Sequence, residues 1–324
     1  MPKSETRRMN PSWSAPPAIR ASIALHGLAL AGAAVAPGLW PWALGAVAAN
    51  HAGLTAAGMW PRSRLLGPNL VRLPPEAAAR GMVALTFDDG PDPAVTPRVL
   101  DMLERHGARA SFFCIAERAR RHPDLAREIV RRGHTIENHT NRHPLGFAAF
   151  GFGAMRREVG RAQAVLADVT GAAPVLFRAP AGLRSPLLDP VLATEGLRYA
   201  SWTRRGYDTL RRDPARVLRQ LARGLAPGDI LLLHDGTCAR TVSGEPVVLA
   251  ALPGLLAAIA ASGLRAVPLP AALAAARRDR HRDIVVPAGN AHEDASRDGG
   301  KPHPDGDPRA PHPFPLRPRP SGPE

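Results

Sequence analysis

Asp88 and Asp89 stand side by side at the end of an apolar run, Leu85-Thr86-Phe87-Asp88-Asp89-Gly90-Pro91. Adjacent residues at a strand end point in different directions, so one carboxylate can grip a cation while the other handles a proton. An ordinary acidic turn has the same composition, since Asp-Gly and Gly-Pro are common turn pairs. A second group, His139-Thr140-Asn141-Arg142-His143, sets two imidazoles four residues apart. On a helical turn that spacing lets both nitrogens converge on one metal ion, whereas a pair of loop histidines is the plainer alternative. A third ligand is needed, and an aspartate at the end of a parallel strand could supply it. Next, Phe177-Arg178-Ala179-Pro180-Ala181-Gly182 puts an arginine directly after a short strand, where it can hold a carboxylate by charge-assisted hydrogen bonds. The Pro and Gly around it shape a loop whose N–H groups could face an oxyanion. Residues 229–236 read DILLLHDG, an apolar strand ending in His234, which could protonate a leaving amine or simply make local hydrogen bonds.

For these groups to meet, the strands that carry them must open on one rim. Residues 82–87 predict a buried strand ending at Asp88. Further strands are predicted over 110–115, 134–138, 175–177, 197–202, 229–233 and 265–267. Helices are predicted over 96–107, 124–133, 154–169, 186–195, 214–225 and 247–262. Repeated βα units imply a mostly parallel sheet, and this many suggest a barrel with its chemistry at the C-terminal strand ends.

A chain of 324 residues is long enough for one large α/β domain with appendages. The net charge of +14 invites a nucleic-acid reading, yet the arginines are scattered over helices and linkers without aromatic interleaving. A solvated basic surface drawn to acidic lipid head groups accounts for them better, and no nucleic-acid partner is expected. Cys114 and Cys238 are far apart and imply no disulfide framework.

After a basic segment, residues 1–20, two apolar stretches over 21–37 and 39–60 are each about the length that crosses a bilayer, roughly 17 to 25 residues. His26, Asn50 and His51 weaken that pattern. A membrane hairpin turning at Pro37, Gly38 and Pro41 is the preferred reading, with Trp40, Trp42 and Trp60 at the interface. The positive-inside rule then puts the catalytic domain at the cytoplasmic face of what would be a bacterial inner membrane. A signal anchor with an exported domain is the alternative. The expected organisation continues with a linker over 61–80, a catalytic domain over 81–278 and a Pro/Arg/His-rich disordered tail over 279–324, where His303 and His312 could bind metal weakly.

Taken in order, TFDDG, HTNRH, RAPAG and LLLHD resemble the motifs of the NodB-type polysaccharide deacetylases, carbohydrate esterase family 4, over roughly residues 81–270. That resemblance implies a distorted (β/α) barrel and a divalent metal ion, commonly Zn2+, held by Asp89, His139 and His143. It implies Asp88 as catalytic base, Arg178 as the group that orients it, and His234 as general acid. Asp208 is the candidate that tethers His234, by a looser match. The Ala181 N–H is the expected oxyanion donor, with Trp202 beside it on the substrate side. Such an enzyme hydrolyses N-acetyl groups on amino sugars without a covalent intermediate, so neither Ser111 nor Cys114 is required. Three positions depart from the family pattern: Ala181 where an aromatic is frequent, Thr209 where Trp is, and Glu137 where Gly is. All three are expected at the rim of the groove, which puts the substrate more in question than the reaction. Candidate substrates are N-acetylated polysaccharides such as peptidoglycan or chitin oligomers, or a lipid-linked amino sugar that loses an acetyl or formyl group. A membrane-tethered carbohydrate-binding protein without activity is the competing class.

Overall fold

Eight short strands run in one direction: β1 (Met82–Asp88), β2 (Ser111–Cys114), β3 (Thr135–Asn138), β4 (Leu176–Phe177), β5 (Arg198–Tyr199), β6 (Arg204–Arg205), β7 (Ile230–His234) and β8 (Arg265–Val267). The computed structural model describes residues 13–285, with side chains through 278. The order is β5-β4-β3-β2-β1-β7-β6, and every pairing is parallel. β8 pairs the first half of β1, below the stretch that β2 pairs. The end strands β5 and β6 are joined by the segment 200–203 rather than by a ladder, so the sheet curls into an open barrel.

The helices are α1 (Pro17–Val35), α2 (Trp40–Met59), α3 (Pro75–Ala79), α4 (Thr96–Arg105), α5 (Ala116–Arg121), α6 (Pro123–Arg131), α7 (Phe152–Thr170), α8 (Leu188–Thr194), α9 (Pro214–Ala222), α10 (Val247–Ala261) and α11 (Leu269–Val285). Local chemistry explains several of them. In α7 the buried residues Met155, Val159, Ala162, Leu166 and Val169 form an i, i+4, i+7 stripe, and Gly171 ends the helix in the left-handed region. In α9 the Asp213 carboxylate accepts the Ala215 N–H ahead of Pro214, a capped start.

The strand period of two sorts the core into two faces. Val83, Leu85 and Phe87 of β1, with Leu231 and Leu233 of β7, pack outward against the helices. Each such buried side chain stabilises the fold by about 1.5–3 kcal/mol. Met82, Ala84, Ile230 and Leu232 point into the barrel, where α11 closes the floor through Leu269, Ala272 and Leu273. The inward series Ala84, Thr86, Asp88 and Ile230, Leu232, His234 therefore carries two candidate catalytic side chains to the top of one interior.

One expectation needs revision. The strand expected over 197–202 pairs with β4 only at Arg198–Tyr199, Ala200 bridges to Leu70 before the chain turns, and Arg204–Arg205 forms a further strand. The segment expected as a linker, 61–80, packs on the barrel: Leu66, Leu73 and Ala77 are buried and Arg72 pairs with the buried Asp229 carboxylate at 2.7 Å. The expected end of the catalytic domain at residue 278 falls inside α11. The rest of the expected tail, with His303 and His312, and the first twelve residues lie outside the described residues.

α1 and α2 form an antiparallel pair linked by a 3-10 turn at Pro37–Leu39. The polar residues that weakened the span pattern satisfy one another between the helices. Asn50 Nδ2 donates to Ser22 Oγ at 2.8 Å, and the His26 and His51 Nε2 atoms lie 3.1 Å apart. α1 is long and apolar enough to cross a membrane, a test that a signal sequence also passes; α2, equally long, is not apolar enough by the same measure. The foot of the hairpin is seated on the barrel. The Arg184 N–H donates to the Gly58 carbonyl at 3.1 Å, and a Cβ at Gly58 would stand 2.1 Å from the Arg184 oxygen.

Candidate active site

Register brings the reacting groups together. Asp88 of β1 lies opposite His234 of β7, and the Asn138–Phe177 pairing of β3 with β4 sets His139 and Arg178 side by side one residue later. Arg178 is fully buried: its Nη1 donates to Asp88 Oδ1 at 2.5 Å and to Thr86 Oγ1 at 3.0 Å, its Nη2 to the Ser201 carbonyl at 2.9 Å, and its Nε to the Ala200 carbonyl at 3.3 Å. It also lies over the Phe113 ring, 3.9 Å from the centroid. Four hydrogen bonds and the Phe113 ring fix the guanidinium, so the Asp88 carboxylate is held in one orientation. On the neighbouring strand β7, His234 donates to Asp208 from its backbone N–H at 2.7 Å and from its ring Nδ1 at 3.0 Å, which leaves Nε2 on the far side of the ring. Burial works against a charged His234, but the Asp208 hydrogen bond and the nearby carboxylates outweigh it and raise the pKa.

Asp89, His139 and His143 form the third group. Asp89 Oδ1 lies 3.2 Å from His139 Nε2 and 3.3 Å from His143 Nε2, and one ligand atom from each of the three residues falls within 4.8 Å of the others. Donor atoms around a tetrahedral zinc, with bonds of about 2.0–2.2 Å, stand about 3.3–3.6 Å apart, so the trio fits such an ion. Asp89 Oδ1 is buried without a hydrogen bond, as a ligand oxygen would be. His139 Nδ1 donates to the Arg178 carbonyl at 2.8 Å, which fixes the ring with Nε2 toward Asp89. Burial favours a neutral Asp89, yet the adjacent His139 ring and the surrounding imidazoles hold its carboxyl far below the usual range. Burial also opposes a charged His139, but Asp88 and Asp89 hold its pKa above the ordinary imidazole value; burial and the His139 charge push His143 below it. A divalent cation among the three would supply the positive charge that a His139 proton otherwise brings.

The two histidines do not sit on a helical turn, as their spacing suggested. Residues 139–143 form a bend with φ of +66° at Thr140 and +56° at His143, stabilised by the His143 N–H on Thr140 Oγ1 at 2.9 Å. Among the described residues, the non-glycine positive φ values fall at Asp89, Thr140, His143, Ala181 and Tyr207, all in or beside this cleft. Each such conformation costs of order 1–3 kcal/mol, which the packed rim must offset.

A cavity of about 310 Å3 opens over these groups, with Ala181, Trp202, Arg205, Thr209 and Thr237 in its wall. Ala181 and Thr209 are thus rim residues, as expected. Glu137 is not. It is buried two residues below His139 on the same face of β3, and its Oε2 accepts the Val175 and Leu176 N–H groups at 3.1 and 2.9 Å, anchoring the start of β4. Two strand positions correspond to about 6.6 Å of depth, which removes it from the groove. Burial pushes its carboxyl up to about 7 against those two hydrogen bonds.

Sequence reasoning missed four contributors. Thr237 donates its hydroxyl to Asp89 Oδ2. Arg118 Nη1 bridges the Asp89 and Gly236 carbonyls, each at 2.9 Å. Thr96 donates to the buried Asp235 carboxylate at 2.5 Å, tying α4 to the loop after β7. Arg205 stands beside Trp202 in the wall. Only Asp235, next to His234 in the fourth motif, had a sequence signal.

The description "Polysaccharide deacetylase" matches residues 76–200, which span β1 to β5. The chain is 34% identical over 195 residues to a chitooligosaccharide deacetylase of Azorhizobium caulinodans, covering 58% of this chain and 92% of that one. The chain belongs to the polysaccharide deacetylase family. Among solved structures, the family 4 carbohydrate esterase of Streptomyces lividans in complex with acetate superposes with a TM-score of 0.52 at 32% identity, covering 57% of this chain and 91% of that one. A family 4 pseudoenzyme of Bacillus anthracis shares the fold, with a TM-score of 0.57 at 20% identity over 64% of this chain and 69% of that one. Within this deacetylase family the fold alone therefore does not decide activity; the side chains do.

Proposed function

We propose that the chain is a metal-dependent deacetylase that removes acetyl groups from N-acetylated amino-sugar residues of a glycan. One observation carries the reading: Asp88, held by Arg178, and His234, held by Asp208, line one cavity with the Asp89–His139–His143 trio. The proposed ion is Zn2+, because two imidazole nitrogens and one carboxylate oxygen suit it and leave positions open for water and substrate. When bound, the ion lowers the pKa of a water molecule and polarises an amide carbonyl.

The protein's own groups do the rest. The Asp88 carboxylate, aimed by Arg178, takes the proton of the attacking water. The Ala181 N–H donates to the oxygen that gains charge as the carbonyl becomes tetrahedral. His234 gives its proton to the departing sugar nitrogen, while Asp208 fixes its tautomer and steadies the imidazolium. Each proton-transfer group contributes typically 10²–10⁴-fold. Acetate and a free amine result, and the buried Cys114 and Ser111 take no part.

The hairpin is proposed as a membrane anchor. Leu28, Leu30, Val35 and Trp42 on it are exposed, as a lipid-facing surface would be. The basic residues Arg62 and Arg64 after α2 favour the cytoplasmic side.

The test is metal content measured together with acetate release from N-acetylglucosamine oligomers. The purified full chain should bind one equivalent of metal and release acetate. Asp88→Asn should lower release about 10³-fold with metal content unchanged. Absence of stoichiometric metal overturns the trio as a ligand set. Full metal with no acyl release from oligomers or lipid-linked amino sugars overturns the reaction.

A further inference from the structure

Three cavities lie wall to wall from the catalytic groups to the hairpin, of about 310, 660 and 510 Å3. The first is the catalytic cleft. Ala181, Trp202 and Arg205 stand between it and the second, and Met59 and Leu183 stand between the second and the third. Their characters differ. The middle cavity contains Arg62, Arg204 and Arg205 in its wall and no carboxylate. The third runs along the hairpin and is mainly apolar through Ile19, Ile23 and Leu54, with Ser22, His51 and Thr55 also in its wall.

The middle arginines are not equivalent. Arg204 is committed to the Asp229 carboxylate at 2.5 Å and to the Arg223 carbonyl. Arg205 has no carboxylate partner among the described residues. Its guanidinium carbon lies 5.5 Å from the Trp202 ring centroid and 5.3 Å from that of Tyr207, and its Nε is buried without an acceptor. The aromatic rings steady the cation through their faces and leave its N–H edge unspent. A planar fork of N–H donors matches a phosphate, and a buried donor without an acceptor favours any ligand that brings one. Arg62, at the foot of α2, is exposed and makes one long contact of 3.4 Å to the Thr203 carbonyl. The order is a sugar-amide site, a cationic site and an apolar slot. A neutral polymer uses the first and leaves the other two unexplained.

We propose that the substrate is an N-acyl amino sugar joined through a phosphate to a membrane lipid, with the phosphate bound by Arg205 and Arg62 and the lipid chain lying along the apolar slot. This deepens the deacetylase reading and rests on it for the sugar end. Arg205 acts here as a specificity residue and takes no part in the hydrolysis.

The experiment uses the full-length, zinc-loaded chain in lipid nanodiscs. Calorimetric titrations compare a polyprenyl phosphate, the corresponding polyprenol and inorganic phosphate. The polyprenyl phosphate should bind at least tenfold more tightly than either of the others. Arg205→Gln should weaken it tenfold or more, Arg205→Lys less, and the exposed Arg62→Gln by several-fold. Thermal melts establish that each variant is folded. In the kinetic arm, kcat/KM for polyprenyl-phosphate-linked N-acetylglucosamine is divided by that for a neutral N-acetylglucosamine oligomer. That ratio should fall tenfold or more in Arg205→Gln, mainly through KM. Equal binding of the phosphate and the alcohol, or binding indifferent to Arg205 and Arg62, overturns the phosphate site. Inorganic phosphate binding as tightly as the lipid form overturns the lipid part. Arginine-dependent lipid-phosphate binding with no acyl release from any substrate upholds this site and overturns the deacetylase reading. Acyl release with arginine-independent binding does the reverse.

Discussion

The two sides of the cleft treat charge in opposite ways. On the side built by β1, β4 and β7, the charged groups are matched within the protein: Asp88 with Arg178, His234 with Asp208. On the side built by β6 and the foot of α2, Arg205 leans on two aromatic rings and Arg62 reaches into solvent. The first arrangement fixes geometry before anything binds, which acid–base chemistry requires. The second holds back hydrogen-bonding capacity, which recognition requires.

The contrast can be broken by substitution. Arg178→Met leaves Asp88 as a buried charge without its partner, and it should cost about 3–5 kcal/mol of stability in denaturant titrations. Arg205→Met should cost about 1 kcal/mol or less in the same assay, because only ring contacts are lost. Equal costs would erase the distinction. Asp208→Asn should lower kcat about 10²-fold. It should also move the basic limb of the pH profile downward, because burial already disfavours a charged His234 and the Asp208 charge that raises its pKa is gone.

A pH-dependent effect lies away from the cleft, at His134. Its Nδ1 accepts the Ala110 N–H at 3.1 Å, and burial together with the charges of Arg109 and Arg132 holds its pKa at about 4 against an ordinary 6.5. As pH falls from 6.5 to 4, the unfolded chain takes up a proton that the folded chain refuses, so stability declines through that window. His134→Gln keeps an acceptor without a titrating ring. Denaturation midpoints at pH 7, 5.5 and 4 should decline less steeply in the variant.

What could be read from sequence followed the strength of the local pattern. β1 and β7 were legible because each is a fully buried run ending in a polar group. α5 was missed because Ala116–Arg121 reads AERARR, with no apolar period to reveal it. β6 was missed because two arginines pair through backbone alone, while Arg204 reaches back to Asp229. α11 was not read as a helix, and its last residues were assigned to a tail because its second half is crowded with Arg and Asp, although its first turns seal the barrel floor. Within the site, Asp208 rested on a loose motif match, and its two bonds to His234 supply what sequence lacked. Arg205 and Tyr207 carried no local signal, since their pairing depends on the turn after β6.

The seating of the hairpin has a consequence for reach. Gly182, at φ +74°, lets Trp202 and Pro61 close on the loop that holds Ala181, because an added Cβ would meet them at 2.5 and 2.8 Å. Arg184 then bonds the Ser63 and Gly67 carbonyls at 3.2 and 2.9 Å, clamping the chain that leaves α2. A free linker of about 20 residues would let a domain wander on the order of 25 Å from its attachment. Clamped as it is, the chain between α2 and the barrel is bound to the domain along its length and is no free tether.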